Sequence, residues 1–380
     1  MLDVIICTVG TSLIYPNLEN LKKAKDEGKL EQRYERILDA YLDKDPDRLG
    51  RELRSIDPTD RICGAEINSL DSMKDRRGLI NEDKTKLFFL YSDTDDGEFV
   101  AKTLRAWYKG NSKIIRVENL QDDNPREFRT KGLRNLAKKM CEVVLENKIR
   151  KRGINATGGY KAQIAIATLI GQALSVPIYY KHDRFNEVIE IPPMPVSLDY
   201  EYWMRISGML SDLSRTSDVV PEQEYAEELD GDERIEAMIE RVPIDGRNYI
   251  ELSPVGQIFH ATFKDRFASE RDQFLPQPVP EAQKKEPRWE ASGHIRQNPE
   301  IMSFMQKLTK EVPFVKHCAT YYYNPDLPSR QRFRVSAKGI EGTISNGTWT
   351  AKIRVETSAT TEGQKSAAST ALNEWLVGLG

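Results

Sequence analysis

A run of seven residues in the first half of the chain combines paired glycines with hydroxyl groups and a cation. It reads Asn155-Ala-Thr-Gly-Gly-Tyr-Lys161 and is followed by an apolar stretch with helical character, residues 162–171. Glycines between a strand and a buried helix let backbone N–H groups face a ligand, because no Cβ stands in the way. The positive end of the following helix adds to this field. The run predicts a site for a phosphorylated or nucleotide ligand, and a purely structural strand–helix turn is the alternative.

Two more loops of small polar residues follow predicted strands. Thr8-Val-Gly-Thr-Ser12 follows the apolar stretch 3–8, and Ser92-Asp-Thr-Asp-Asp-Gly97 follows the apolar stretch 86–91. Strands and helices alternate over residues 1–200, which predicts a parallel α/β sheet. Such sheets bind ligands outside the carboxyl ends of their strands, where the strand order reverses. We therefore expect the three loops to meet at one edge of the sheet.

Composition narrows the class of protein. A chain of 380 residues, 39% hydrophobic and 30% charged, predicts a soluble protein of two or three domains. The net charge of −3 gives no overall attraction to nucleic acid. The four cysteines are dispersed, which suggests reduced thiols in the cytoplasm. The four histidines are also scattered, so neither a metal site nor a cofactor is expected. No signal peptide, membrane span, dinucleotide fingerprint or P-loop is visible, so no membrane partner is expected.

Five short motifs occur in an order that resembles a known sensor family. They are Thr8-Val-Gly-Thr-Ser12, Ala65-Glu-Ile-Asn-Ser69, Ser92-Asp-Thr94 with Gly97, Asn155-Ala-Thr-Gly-Gly-Tyr-Lys161 and Glu190-Ile-Pro-Pro-Met-Pro195. Together they resemble the CARF domain, the CRISPR-associated Rossmann-like sensor of type III systems. The resemblance covers residues 1–200.

The CARF resemblance implies a homodimer whose two-fold axis holds one cyclic oligoadenylate, with the tetra-adenylate favoured by its frequency in the family. Binding of the ring would switch on a C-terminal effector. The ring-binding residues implied by the family motifs lie in the three loops. They are Thr8, Gly10, Thr11, Ser12, Ser92, Asp93, Thr94, Asn155, Thr157, Gly158, Gly159 and Lys161.

A different pattern begins after Pro195. Residues 201–272 hold predicted helices followed by Tyr249-Ile-Glu-Leu-Ser-Pro-Val-Gly256, which resembles a winged helix. The stretch 222–240 is acidic, which favours dimerisation or protein docking over DNA binding, or else a solvated face. Residues 273–290 are rich in proline and charge and predict a semi-rigid linker.

The C-terminal segment, residues 291–380, has more basic than acidic residues, and its strands predict a cationic surface. The stretches 332–338 and 348–355 alternate in polarity, and Asn346-Gly347 between them predicts a two-residue hairpin. That register requires a bulge near Gly339. One polar sheet face then collects four cations, with Tyr321, Tyr322 and Tyr323 upstream. The four are Arg332, Arg334, Lys352 and Arg354. An ordinary solvated face is the alternative.

This segment resembles a RelE-type mRNA interferase, a small α+β ribonuclease that needs no metal. Lys338-Gly339 and Trp349-Thr-Ala-Lys-Ile-Arg354 are similar to its motifs. The resemblance implies that Lys352 and Arg354 hold the scissile phosphate with Arg332 or Arg334 beside them. Lys338 or a tyrosine such as Tyr322 would move the ribose proton. The implied substrate is RNA, as mRNA on the ribosome.

Other interpretations stay open. The order helix–strand–strand–strand–helix also suits a double-stranded-RNA-binding fold. Arg288-Trp-Glu-Ala-Ser-Gly-His294 has the arginine–histidine spacing of HEPN ribonucleases, which are all helical. A ligand-gated regulator that binds nucleic acid without cutting it is the non-enzymatic alternative.

Overall fold

Two units make up the chain, Met1–Ser197 and Leu198–Gly380. The computed structural model describes residues 1–75, 77–182, 184–216, 218–229, 232–290 and 298–379. No helix in these ranges is long and apolar enough to cross a membrane.

A six-stranded sheet forms the centre of the first unit. Its strands are β1 (Val4–Thr8), β2 (Lys86–Ser92), β3 (Ser112–Val117), β4 (Arg152–Asn155), β5 (Ile178–Tyr180) and β6 (Ile189–Ile191). They lie in the order β3-β2-β1-β4-β5-β6, and all neighbours are parallel except β5 and β6. β1 is buried at every position, as expected for a central strand covered on both faces. The predicted parallel α/β sheet is confirmed.

Eight helices are described in the first unit. They are α1 (Glu19–Asp26), α2 (Glu35–Leu42), α3 (Pro46–Leu53), α4 (Gly64–Asp75), α5 (Asp95–Tyr108), α6 (Pro125–Glu127), α7 (Leu133–Glu146) and α8 (Lys161–Ala173). Most connect one strand of the sheet to the next. The strand order reverses between β1 and β4, because the chain moves outward through β2 and β3 before it returns to the other side of β1. The loops that follow β1 and β4 therefore flank the crevice in which such sheets bind ligands.

The second unit begins with helices around a three-stranded sheet. Its elements are α9 (Tyr200–Arg215), β7 (Val220–Pro221), α10 (Ala226–Leu229), α11 (Glu233–Glu236), β8 (Ile239–Ile244), β9 (Arg247–Leu252) and α12 (Pro254–Phe274). The strands lie in the order β7-β9-β8. This succession of helices and strands is the one a winged helix has, and membership of that family stays a prediction.

A five-stranded sheet completes the second unit. The elements are β10 (Arg288–Trp289), α13 (Pro299–Glu311), β11 (Val315–Asn324), β12 (Arg332–Ser336), β13 (Gly339–Ser345), β14 (Thr350–Thr357) and α14 (Glu362–Val377). The strand order is β10-β11-β14-β13-β12. Apolar residues of α13 and α14 pack against one face of the sheet. On the sheet, this apolar face includes Phe333, Ile353 and Val355. The opposite face is polar, as the alternation of residues 350–355 predicts.

The predicted hairpin geometry was wrong in two places. Ser345 pairs with Thr350, so the turn at Asn346-Gly347 is a four-residue loop, in which the Asn346 side chain accepts hydrogen bonds from the backbone N–H groups of Thr348 and Trp349. The expected bulge near Gly339 is instead a tight hairpin in which Ser336 pairs with Gly339. Gly339 has φ +110°, which only glycine adopts easily, and this turn accounts for the change of parity.

Residues 273–290 do not separate two domains, contrary to the predicted linker. Val279 N–H donates to Pro313 O at 2.9 Å, Lys285 N–H donates to Lys316 O at 2.9 Å, and β10 is part of the sheet. Helix α14 also joins the predicted middle and C-terminal domains, because Thr370 lies against α9 and Asn373 lies against β12. The two predicted domains therefore form one folding unit.

Candidate ligand site and nucleic-acid cleft

Two of the three predicted ligand loops meet at the reversal point of the first sheet. Thr8 Oγ1 donates to Gly158 O at 2.5 Å. Gly10 lies against the backbone of Gly159, so that a Cβ on Gly10 would be 2.5 Å from Gly159 N. The expected convergence of loops 8–12 and 155–161 is confirmed, and the glycines are needed for it because no larger residue fits between the two backbones.

A buried carboxylate, Glu66 of α4, lies beneath this contact. Gly10 N–H donates to Glu66 Oε1 at 2.7 Å, and a Cβ on Gly158 would overlap the same oxygen. Burial raises the pKa of Glu66 to about 7, and the hydrogen bond from Gly10 opposes part of that rise. Sequence reasoning did not assign Glu66 to the site. The signal that could have found it is the motif Ala65-Glu-Ile-Asn-Ser69, which contains Glu66 and occurs in order with the two glycine loops.

The polar side chains of loop 155–161 are held by the protein itself. Asn155 Nδ2 donates to Ser69 Oγ at 2.8 Å, and Asn155 Oδ1 accepts from Thr157 Oγ1 at 2.6 Å. Thr157 Oγ1 in turn accepts the backbone N–H of Lys181 at 3.1 Å. This chain of hydrogen bonds fixes the loop before any ligand arrives, which lowers the entropic cost of binding.

A small pocket of about 80 Å³ opens beside these loops. Ser12, Thr157, Arg61 and Asn68 contribute to its lining. Ser12 Oγ accepts the backbone N–H of Ala65 at 3.1 Å, which ties the first loop to α4. Asn68 Nδ2 donates to Pro58 O and Asp60 O, so Arg61 is the group of this lining that suits a phosphate.

Next to Gly159, the amide of Gln163 is fully buried. Neither of its polar side-chain atoms has a hydrogen-bond partner among the described residues. Gly159 has φ +94°, and a Cβ there would overlap Gln163 Oε1. Lys161 is exposed at the first residue of α8, and Thr11 is half-buried. The N-terminal turn of α8 therefore follows loop 155–161 directly, with Lys161 as its first residue.

The third loop has a structural role that the sequence did not separate from binding. Thr94 Oγ1 caps α5 by accepting Gly97 N–H at 3.0 Å, and Ser92 Oγ lies 3.0 Å from Thr94 Oγ1. Asp93 accepts from Arg116 and from Asn119 N–H. Ser92 and Thr94 are thus used inside their own loop, and Asp93 ties this loop to β3 and to the backbone after it. The loop follows β2, on the far side of β1 from β4.

In the second unit, the polar face of the five-stranded sheet divides into an open part and a covered part. The open part lies on β11 and β14. There the Arg354 guanidinium is 4.9 Å from the centre of the Tyr321 ring, and Lys352 Nζ is 5.9 Å from that of Tyr322. Neither cation forms an ion pair with a carboxylate within the described residues. Cations beside aromatic rings are the chemistry that single-stranded RNA requires.

The covered part contains the other two predicted cations, which corrects their assignment to an open face. Arg332 Nε donates to Glu228 Oε1 at 2.9 Å, and its side chain is only 7% exposed. Arg334 pairs with Glu227, with Glu228 and, at 3.1 Å, with Glu341. The acidic residues 222–229 that looked like a solvated or docking surface are therefore bound in part to this sheet. Arg332 and Arg334 are not available to a phosphate in this arrangement.

A polar cleft of about 640 Å³ lies where β10, β11, β14 and the β12–β13 hairpin come together. Its lining includes two predicted residues, Lys338 and Arg354. It also includes residues that sequence reasoning did not assign to this site, namely Lys285, Arg288, His317, Glu356 and Lys365. Lys352 and Tyr322 lie further along the same face and do not line the cleft. The structure thus keeps part of the predicted set together and adds cations from distant segments.

Arg288 of the arginine–histidine pattern lies on strand β10 and lines the cleft. His294 of that pattern lies outside the described residues. The described part of this unit mixes strands with helices, unlike an all-helical ribonuclease. No group of three His, Cys, Asp or Glu residues that could hold a metal ion is found in the described parts of the chain.

Comparison with known protein families gives one result. Residues 61–194 match the family model described as CRISPR-associated protein (Cas_APE2256). The matched segment contains Glu66 and the glycine loop 155–161, whereas loop 8–12 and the second unit lie outside it. The match indicates a CRISPR-associated protein.

Proposed function

We propose that this chain is a cyclic-oligoadenylate-activated, metal-independent ribonuclease of CRISPR antiviral defence. In this proposal the first unit binds the cyclic nucleotide, with the tetra-adenylate favoured, and forms a homodimer. The second unit cleaves RNA, with mRNA on the ribosome as the substrate, in the cytoplasm. The family match supports the association with CRISPR defence, and the sensor and nuclease roles are the new part of the proposal.

The cationic cleft of the second unit is the observation that carries the enzymatic part. Lys338, Arg354, Arg288 and Lys365 come from four separate segments and line one cavity of about 640 Å³. Glu290 and Glu356 also line the cleft and Lys365 pairs with Glu362 at 2.6 Å, but the cations of the lining outnumber its carboxylates and would attract an anion. The Tyr321–Arg354 and Tyr322–Lys352 pairs extend this surface along the sheet. A polyanion with exposed bases, such as single-stranded RNA, satisfies both features.

Cleavage of RNA at such a site needs no metal ion. The ribose 2′-hydroxyl is an internal nucleophile, and the charge that develops on the phosphate can be stabilised by lysine and arginine side chains. Arg354 and Arg288 are planar donors suited to two phosphate oxygens at once. Lys338 lies at the tip of the β12–β13 hairpin, at the border of the cleft, where it can approach the leaving oxygen.

The first unit supplies the argument for a nucleotide switch. Loops 8–12 and 155–161 meet at the reversal point of a parallel sheet, where ligands of this fold class bind. Lys161 and the N-terminal turn of α8 provide positive charge for ring phosphates. Arg61 beside Ser12 offers guanidinium donors that suit a phosphate, while the Asn68 amide nitrogen is held by Pro58 O and Asp60 O.

A cleavage assay in EDTA tests the proposal directly. The full chain is incubated with labelled mRNA, with or without ribosomes, and with each cyclic oligoadenylate ring size in turn. We expect cleavage that requires a ring, persists in EDTA and is lost in Arg354→Ala. The variant Lys161→Ala should need more ring for half-maximal cleavage. The control Lys109→Ala, which lies between α5 and β3 of the same unit, should behave as the wild type.

Three outcomes would contradict the proposal in different ways. No cleavage with any ring, with ribosomes present, would refute the nuclease assignment. A ring-dependent mobility shift of RNA without scission would instead establish the regulator. Loss of cleavage in His294→Ala together with full activity in Arg354→Ala would favour the HEPN interpretation.

A further inference from the structure

His317 stands out among the residues that line the cleft. It lies on β11, and in the register of the sheet it is directly opposite Glu356 of β14. Its Nε2 atom is buried and has no hydrogen-bond partner among the described residues. A buried polar atom without a partner costs free energy, so its retention calls for an explanation.

An unpartnered nitrogen does not by itself make a functional histidine. His260 Nε2 also lacks a partner among the described residues. However, His260 is in an aromatic core, where its Nδ1 accepts from Trp203 Nε1 at 3.3 Å, and burial lowers its pKa to about 3. It is therefore a structural residue. His317 differs because its surroundings are a polar cleft rather than a core.

Charged side chains from several elements line the cleft together with His317, and Lys285 and Glu290 are among them. Glu356 and Arg354 come from β14, Arg288 from β10, Lys338 from the β12–β13 hairpin and Lys365 from α14. A phosphodiester bound by these cations would bring a ribose close to the imidazole. A neutral imidazole can accept a proton from a hydroxyl, and the carboxylate of Glu356 opposite it would stabilise the imidazolium that results.

We propose that His317 is the general base of the ribonuclease, a role that rests on the proposed function. The imidazole takes the proton of the ribose 2′-hydroxyl while the 2′-oxygen forms a bond to phosphorus. The bond from phosphorus to the 5′-oxygen breaks, and the 5′-oxygen takes a proton from the Lys338 ammonium group. The products are a 2′,3′-cyclic phosphate and a 5′-hydroxyl, and His317 and Lys338 then exchange protons with water.

Single-turnover kinetics of His317→Ala in the full chain, with activating ring and saturating RNA, tests this role. General-base catalysis contributes about 10²–10⁴-fold, so the variant should lose about that much rate. Its affinity for RNA should stay within about twofold, because a phosphate-binding cation would change affinity and a proton acceptor should not. Added imidazole should restore part of the rate. The wild-type rate should fall on the acidic side of its pH profile, and His317→Ala should lack that fall.

Two further variants guard against a structural explanation. His317→Asn keeps a polar side chain of similar size, and it should be as slow as His317→Ala while unfolding at the wild-type temperature. Lys307→Ala, at an exposed position of α13, should have wild-type kinetics.

The outcomes separate this inference from the proposed function. Wild-type protein that never cleaves RNA refutes both. Wild-type cleavage with equal cleavage by His317→Ala refutes the base alone. Loss of RNA affinity in step with rate, without rescue by imidazole, would assign His317 a structural role and also overturn the inference.

Discussion

At the scale of single residues, the most consequential side chain in the first unit is Glu66. Its carboxylate is buried beneath the two glycine loops and accepts the N–H of Gly10, so it fixes the position of loop 8–12. The same oxygen fills the space next to Gly158. The loop geometry of the candidate ligand site therefore depends on one ionisable group that does not itself have to touch the ligand.

Glu66 predicts a pH-dependent stability of the first unit. Its pKa is about 7 in the folded state, compared with 4.5 for an unperturbed glutamate, which represents the unfolded state. The protonated group therefore favours folding, and this contribution is complete below pH 4.5 and is lost as the pH rises to about 7. The loss amounts to about 3 kcal/mol, at about 1.36 kcal/mol per pKa unit.

The variant Glu66→Gln isolates this effect, because glutamine keeps the acceptor for Gly10 N–H and does not ionise. Urea unfolding at pH 5 and pH 8 should show the stability of the wild type falling relative to the variant by about 3 kcal/mol. A constant difference between the two proteins at both pH values would mean that Glu66 does not titrate in this range.

The cations of the cleft predict a different kind of residue effect. Arg354→Ala and Lys338→Ala should each weaken RNA binding by about tenfold, the value of a charged hydrogen bond. Each should also lower the salt dependence of binding by about one unit of slope. Fluorescence anisotropy at several salt concentrations measures both. The midpoint of thermal unfolding should not change, and Lys307→Ala serves as the control because it lies on α13, away from the cleft.

At the scale of elements, the contact between loops 8–12 and 155–161 requires glycine. Gly158→Ala would place a methyl group on the Glu66 carboxylate and 2.8 Å from Thr8 O. The Glu66 side chain would have to leave its contact with Gly10, and Thr8 O cannot move without a backbone shift. We expect this variant to lose about 2 kcal/mol of stability, as overpacked sites do, and to lose ring binding. Gly110→Ala is the matched control, since a Cβ there has nothing within 4 Å. Calorimetric titration with the ring would contradict this if Gly158→Ala bound normally.

The acidic segment 222–229 and strand β12 form the second element-scale contact. Arg332 is 7% exposed and Glu228 is 14% exposed, and removal of the arginine leaves this largely buried carboxylate with Arg334, at 3.4 Å, as its remaining cation. Arg332→Ala should therefore lower the free energy of unfolding of the second unit by about 2 kcal/mol, the cost of a lost charged hydrogen bond. The exposed pair Arg271–Glu374 provides the control, because Arg271→Ala should cost under about 1 kcal/mol.

RNA-binding measurements on the same variants decide how β12 is used. If Arg332→Ala lowers the free energy of unfolding and leaves the RNA affinity unchanged, Arg332 forms a structural ion pair. Unchanged stability with weaker RNA binding would show that Arg332 belongs to the RNA surface, as the strand alternation alone suggested.

At the scale of the whole molecule, each unit has a core of its own. The first unit is held by a cluster around β1 and α4, and the second by two clusters that share Leu275 and Ala371. We expect fragments 1–197 and 198–380 each to unfold cooperatively. Fragment 198–290 should not fold, because it lacks α14, which packs against α9. One contact between the two helices is the hydrogen bond from Thr370 Oγ1 to Met204 O at 3.2 Å. Circular dichroism during urea unfolding measures this. A cooperative transition in fragment 198–290 would contradict the prediction.

The sequence by itself determined the elements and the parity of their faces. An apolar run at residues 4–7 is typical of a strand in the middle of a sheet, and alternating residues in 350–355 must point to opposite faces. The glycine loops were recognised because glycine and hydroxyl residues follow strands in both, and the structure shows that these glycines also let the two backbones touch. Local turn geometry was harder, since Asn346-Gly347 fits both a two-residue turn and the four-residue loop that the structure contains.

Tertiary structure alone decided which polar groups meet. The contact of Gly10 with Glu66 joins residues 56 positions apart, and the pair Arg332–Glu228 joins residues 104 positions apart. Periodicity shows that Arg332 and Arg354 share a face, but only packing places the acidic segment over one and leaves the other open. His317 lines a cleft because β10, β14 and a hairpin converge around it. Burial and ion pairing depend on the complete set of neighbours, and no local pattern in the sequence contains that information.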